Sequence, residues 1–208
     1  MTVERSVMLV DDHAVVRTGY RMLLERTGEF MVVGEAGSGE DALRDYSILN
    51  PDLVIMDINL PGISGIEATR CIKRMDPQAR ILVFSIHDET IYASRAFEAG
   101  ASAYLSKDSS PDEMIETARR MFTGNSEAQD RSKDVRPLAI RTQINPLSEL
   151  TQRELEVFLL LGKGSDSREI ARTLNLSTKT VSNYIVLIKE KLHADSTADL
   201  IRRATFFT

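Results

Sequence analysis

The first half of the chain repeats one pattern: a short apolar run, then a longer stretch with apolar residues at helical spacing. Leu53-Val54-Ile55-Met56 lies between Pro51 and Pro61 and ends at Asp57. A continuous apolar run of this length predicts a strand buried on both faces. Val7–Val10 has the same character and ends in Asp11-Asp12-His13. Val16, Tyr20, Leu23 and Leu24 then recur at helical spacing over about 14–27. Phe30–Val33 predicts a second strand, followed by the Gly-Ser-Gly turn at 37–39 and a helix through Leu49. After Asp57, Gly62–Gly65 leads into a helix that ends before Pro77. Ile81–Phe84 ends at Ser85, and a helix over about 88–98 stops at Gly100, a suitable C-terminal cap. Ala103-Tyr104-Leu105 ends at Ser106-Lys107, and Ser110-Pro111 opens a last helix. These βα units predict a doubly wound α/β fold, a five-stranded parallel sheet with helices on both faces.

From Gly124 to Leu147 the pattern lapses into polar residues without a period, which predicts a linker. From Ser148 onward it is helical. Thr151-Gln152-Arg153-Glu154 is a capping box before Leu155, Phe158, Leu159 and Leu161. Asp166 with Glu169 starts a second helix carrying Ile170, Ala171 and Leu174. Asn175 supplies a turn, and Ser177 caps a third helix with Val181, Tyr184, Ile185, Ile188 and Leu192 facing inward. Ser196 caps a fourth with Leu200 and Ile201. Two of these helices joined by a short turn predict a helix-turn-helix. The domains expected are therefore 1–123, a linker at 124–147, and an all-α four-helix unit at 148–208.

A length of 208 residues suits one large or two small domains. No apolar run approaches the roughly 20 residues of a membrane span, and the first strand begins too early for a signal peptide. The single cysteine, Cys71, fits a reducing compartment and reads as an inert, partly packed thiol. The net charge of −5 is divided unevenly. Through Phe122 there are 13 Lys+Arg against 20 Asp+Glu, and beyond it 13 against 11. An acidic front and a mildly basic back suggest modules with different partners.

The polar residues at the strand ends form a set: Asp11, Asp12, Asp57, Ser85 and Lys107. A doubly wound sheet gathers such ends at one edge. Three carboxylates together repel, and hard oxygen ligands with room for water suit Mg²⁺. A phosphoryl group could then be held by Lys107 and the Ser85 hydroxyl, with Asp57 as nucleophile. Each residue alone also has an ordinary reading, Asp11 or Asp12 as a helix cap and Lys107 as a solvated lysine. Agreement at successive strand ends favours the chemical one.

These residues carry a resemblance. Asp11-Asp12, Asp57 in the run MDINLPG, Ser85, Tyr104 and Lys107 make residues 5–123 resemble a response-regulator receiver domain, a flavodoxin-like fold. The resemblance implies that Asp57 is phosphorylated by a sensor histidine kinase. It implies that Asp11, Asp12, Asp57 and the Asn59 backbone carbonyl hold Mg²⁺, and that Ser85 and Lys107 contact the phosphoryl oxygens. Ser85 and Tyr104 would be the switch pair, the hydroxyl moving to the phosphate as the ring turns inward. Asp108 departs from the family pattern, which often has proline there. His13 reads as a helix-start residue on the rim, and His87 with Asn59 as residues that set the lifetime of the acyl phosphate.

The second half resembles a LuxR-type DNA-binding domain through Leu150-Thr151-x-Arg153-Glu154-x-Glu156-Val157, Ile170-Ala171-x-x-Leu174-x-Leu176-Ser177-x-x-Thr180-Val181, Tyr184 and Lys191-Leu192. Both halves together resemble the NarL/FixJ class of transcription regulators. That class implies no enzyme of its own but a cytoplasmic regulator that binds promoter double-stranded DNA, with no membrane role and as a homodimer when phosphorylated or DNA-bound. The helix from Ser196, with Leu200 and Ile201, would be a dimer contact by that resemblance, or else would pack within its own domain. In the recognition helix, Ser182, Asn183 and Val186 would read base edges, while Lys179, Thr180 and Lys189 would bind phosphates. A Mg²⁺-dependent phosphohydrolase and a protein-binding adaptor are the rival readings.

Overall fold

The computed structural model describes residues 4–85, 90–123 and 146–207. The chain divides into two compact units, Met1–Ala139 and Ile140–Thr208.

The first unit alternates β1 (Arg5–Val10), α1 (Ala14–Glu25), β2 (Phe30–Ala36), α2 (Gly39–Leu49), β3 (Leu53–Met56), α3 (Gly65–Met75), β4 (Ile81–Ser85), α4 (Thr90–Glu98), β5 (Ala103–Ser106) and α5 (Pro111–Arg120). All strands pair in parallel in the order β2-β1-β3-β4-β5. The order reverses between β1 and β3, which leaves a crevice beyond their C-terminal ends. β2 runs to Ala36 rather than stopping at Val33, because a register shift at Val7/Met8 lets Val10 pair with Ala36. Val7, Leu9, Phe30, Leu53, Ile55, Leu82 and Phe84 pack with Leu24 of α1 and Met114 and Ile115 of α5 in one apolar cluster. Ser38, Ser64 and Ser110 cap α2, α3 and α5 by accepting the N–H groups of Asp41, Glu67 and Glu113. Cys71 is half-buried in α3. Gly100 closes α4 at φ +101, where a side chain would be strained. The start expected for α4 near 88 and the residue His87 lie outside the described residues.

The second unit begins with a 3₁₀ turn, Pro146–Glu149, followed by α6 (Gln152–Gly162), α7 (Ser167–Thr173), α8 (Thr178–Lys191), α9 (Thr197–Ala204) and a 3₁₀ turn at Thr205–Phe207. Residues 124–145 of the expected linker lie outside the described residues, while Leu147 at its expected end is buried. α6 is the core element: Leu155, Val157, Phe158, Leu159 and Leu161 are all buried. The capping box of Thr151 with Glu154 is present, and so is that of Asp166 with Glu169. Asn175 turns the chain into α8 at φ 53. α8 leans on its neighbours through Val181, Ile188 and the following Leu192. Tyr184 and Ile185, expected to face inward, are only half-buried, because they flank this narrow stripe.

Candidate functional site

The site begins with backbone pairing. The Asp57 N–H donates to the Val10 carbonyl at 2.8 Å, and the Asp11 N–H to the Ala36 carbonyl at 3.1 Å. These bonds hold two aspartates side by side where β1 and β3 end. α3 starts close behind Asp57 because residue 65 is glycine; a Cβ there would collide with the Asp57 carbonyl oxygen. The Lys107 N–H donates to the Ser85 carbonyl at 2.8 Å, which ties the end of β5 to the end of β4.

Lys107 reaches both carboxylates. Its Nζ lies 2.5 Å from Asp11 Oδ2 and 2.7 Å from Asp57 Oδ2. Asp11 and Asp57 are 3% and 4% exposed, and Ser85 is fully buried. Burial pushes the Asp57 carboxyl above its ordinary range; Lys107 pulls it down, Asp11 pushes it further up and the Asn59 N–H favours the anion. Burial pulls the Lys107 ammonium down, but the two carboxylates together hold it above the usual lysine value. One ammonium thus serves two buried anions, and the pocket keeps an excess of negative charge.

Asp12 and His13 form the outer rim. His13 Nδ1 lies 2.7 Å from Asp12 Oδ1 and 3.2 Å from Asp11 Oδ1, and the His13 N–H donates to Asp11 Oδ1 at 2.8 Å. His13 occupies the N-cap position of α1, as expected, although its side chain makes no capping bond. One donor atom each from Asp11, Asp12 and His13 falls within 4.8 Å of the others, close enough to share a cation. Lys107 links Asp57 to Asp11 of that trio. The Asn59 N–H donates to Asp57 Oδ1 at 3.3 Å, which folds the β3–α3 loop over the carboxylate.

Three neighbours went unnoticed in the sequence. Arg17 donates to the Asp11 carbonyl at 2.5 Å and to Glu35 at 3.0 Å, so α1 braces the backbone of the site. Tyr20 lines a cavity of about 10 Å³ beside Asp11, Asp57 and Lys107, the size of one water, and sets its ring edge against Phe84 at 5.1 Å. Glu40 of α2 accepts the Ile63 N–H at 3.1 Å and so ties down the loop carrying Asn59. In sequence all three look like ordinary polar or apolar helix positions.

Tyr104 is 8% exposed and pairs in register with Val83, two residues before Ser85. The aromatic member of the expected switch pair is therefore already buried in this state.

On α8, Lys179, Ser182, Asn183 and Val186 are exposed, while Thr180 and Lys189 are half-buried. Thr180 is engaged in the helix start: its N–H donates to Ser177 Oγ at 3.0 Å, and the two hydroxyls lie 2.7 Å apart. The Ser182 hydroxyl donates back to the Thr178 carbonyl at 3.0 Å. Lys191 is drawn away from the exposed face to Glu154 at 2.6 Å. On α9, Leu200 is buried in its own unit, whereas Ile201 faces out.

Comparison with known proteins agrees with this division. Residues 7–119 match the response regulator receiver domain, and residues 148–204 match the bacterial regulatory proteins of the luxR family. The chain is 42% identical over 208 residues to the transcriptional activator protein ExaE of Pseudomonas putida, spanning 95% of this chain and 94% of that one. It is 37% identical over 202 residues to the response regulator UvrY of Escherichia coli K12, spanning 96% and 93%. A crystal structure of a two-component response regulator of the LuxR family from Aurantimonas sp. SI85-9A1 superposes with a TM-score of 0.58 at 43% identity. It covers 64% of this chain and 98% of its own.

Proposed function

The chain belongs to the response regulators that join a receiver domain to a LuxR-type DNA-binding domain, and from that membership we propose that phosphorylation of Asp57 controls its binding to promoter DNA. The observation that carries the reading is the pair of buried carboxylates sharing one lysine. Asp57 attacks the phosphorus of a phosphohistidine on a sensor kinase. The N–P bond breaks, the imidazole leaves with the electron pair, and an acyl phosphate forms. Lys107 releases Asp57 Oδ2 and follows the new phosphoryl oxygens, keeping Asp11 as its second partner. The Ser85 hydroxyl at the end of β4 supplies a further donor, and Tyr104 repacks with it.

The residues fit a divalent cation. Asp11, Asp12 and Asp57 offer hard oxygen donors, and Lys107 leaves their charge undercompensated. With the Asn59 carbonyl they would hold Mg²⁺, which supplies charge neutralisation to the transferring group. The family is one of transcription regulators rather than enzymes. No helix among the described residues is long and apolar enough to cross a membrane. Membership of a family of DNA-binding regulators supports a cytoplasmic location. The DNA face is α8, with Lys179, Thr180 and Lys189 toward phosphates and Ser182, Asn183 and Val186 toward bases. Binding as a homodimer raises the affinity of a face with so few cations. Ile201 on α9 is available for that contact.

The test is retardation of DNA drawn from a random duplex pool, with and without beryllofluoride plus Mg²⁺. Binding that strengthens with the mimic and loses that response in Asp57→Ala is the expected result. Binding indifferent to both would sink the phosphorylation control.

A further inference from the structure

Resting on the DNA-binding reading of α8, we propose that its exposed face selects A·T pairs, with Asn183 reading an adenine and Val186 contacting the 5-methyl group of a thymine in a neighbouring pair. Lys179, Ser182, Asn183, Val186 and Glu190 are all exposed and stand at i, i+3, i+4, i+7 and i+11 along α8. They form one stripe opposite the buried Val181 and Ile188. This is the surface that a recognition helix turns toward base edges.

The composition of that stripe decides what it can read. Guanine is recognised most often by a bidentate Arg or Lys at O6 and N7. Beyond Lys179 in the first turn, the stripe has neither residue. Lys189 lies off it and is half-buried, and Lys191 is committed to Glu154. Glu190 at the C-terminal end is an acceptor, so it cannot take the guanine edge and would suit only an exocyclic amino group. What remains at the centre is an amide and an apolar side chain.

Both fit an A·T pair. An Asn amide can bond adenine N6 and N7 together, which no other base allows in the major groove. The Asn183 side chain is exposed. Val186 is 49% exposed and its neighbour Leu187 43%, an unusual apolar pair at the middle of a helix whose other outward residues are polar. The thymine methyl is the one apolar group that a base presents in the major groove. Asn183 and Val186 are three residues apart, about 4.5 Å along the helix axis, close to the roughly 3.4 Å step between base pairs. One turn of α8 therefore addresses two neighbouring pairs.

The experiment uses the full chain with beryllofluoride and Mg²⁺ to select duplexes from a random pool, then measures binding to the enriched site with modified bases. The expected half-site carries adjacent A·T pairs. Replacing the contacted thymidine by deoxyuridine, which removes only the methyl, should weaken binding about fourfold. Val186→Ala should bind the thymine and uracil sites equally, a change that a merely structural role for Val186 would not produce. 7-Deaza-deoxyadenosine at the contacted adenine should weaken binding about tenfold, and Asn183→Ala should remove that difference. Val186→Arg should move the selected base toward guanine. An enriched site with G·C at these positions, or one in which every thymidine can be replaced by deoxyuridine without effect, would overturn this inference while leaving DNA binding intact. Enrichment of no duplex, with beryllofluoride or in a parallel selection without it, would overturn the DNA-binding reading and the inference together.

Discussion

Asp57 and Glu154 are both buried carboxylates facing a lysine, Asp57 with Lys107 at 2.7 Å and Glu154 with Lys191 at 2.6 Å. Their acidities nevertheless move in opposite directions. Burial raises both. At Asp57 it prevails, because Lys107 is shared with Asp11 and the second carboxylate adds its own repulsion. At Glu154 burial is overcome, because Lys191 serves it alone and Thr151 adds its N–H at 2.7 Å. The receiver pocket keeps a charge that its own residues do not neutralise, whereas the helical unit closes its account internally. An unresolved charge of this kind gives a site capacity for a cation and a phosphoryl group. A resolved one pins α8 to α6.

Removing the lysine from each pair separates the two kinds of site most sharply. Lys107→Met leaves Asp11 and Asp57 buried together without the ammonium that touches both carboxylates. Phosphoryl uptake from a small donor should fall at least ~100-fold, and the first unit should lose about 3 kcal/mol in denaturant titration. Unchanged stability would show that Lys107 does not balance the pocket. Glu154→Ala removes the partner of Lys191 and half of a capping box, and should cost the second unit about 2 kcal/mol. Lys191 can then turn to solvent, so phosphoryl uptake should not change. A parallel loss of uptake would break the distinction between the pairs.

How far each pair was legible in sequence follows the same division. Asp11, Asp57, Ser85 and Lys107 each end an apolar strand, and parallel topology brings strand ends to one edge, so their meeting was readable from pattern alone. Glu154 was readable as the third residue of a capping box, but its partner Lys191 lies 37 residues away. No periodicity links those two positions. Arg17, Tyr20 and Glu40 were hidden for another reason: each sits where an amphipathic helix has such residues anyway, and only the packing of α1 and α2 aims them at the site. On α8, Val181 and Ile188 were legible as inward positions, while the half-burial of Tyr184 and Ile185 depends on how narrow the contact is.

Neutralising the carboxylates tests the sign of the difference. Asp57→Asn keeps the shape and removes a charge that burial disfavours, leaving Lys107 to Asp11. The first unit should gain up to about 1 kcal/mol at neutral pH while phosphorylation is abolished. A loss of stability instead would mean that Asp57 is a structural anion like Glu154.

The smallest effect is in acid, where the two carboxylates should contribute with opposite sign. Glu154 is held below its ordinary value of 4.5, so its contribution is complete above that pH and is lost as pH falls through the lower folded value. Asp57 is raised above its ordinary 3.8, so the folded chain takes up that proton before the unfolded one does. Its unfavourable share is therefore present at neutral pH, begins to fall at the raised folded value and is gone below 3.8. Both effects are on the order of 1 kcal/mol or less. They are overlaid by Glu35, Asp41 and Asp76, which are held low by Arg21 and Arg17, by Ser38 and Arg44, and by Tyr46, and which lose stability in acid as Glu154 does. The difference between variant and wild type isolates each group. Hydrogen exchange of the full chain at pH 7, 5 and 4, read separately over each unit, should show Glu154→Gln flattening the acid loss of the second unit. Asp57→Asn should steepen the loss in the first, because the relief that protonation gives the wild type is already present in the variant. Changes of the same sign in both units would mean that the shared lysine leaves Asp57 no less satisfied than Glu154.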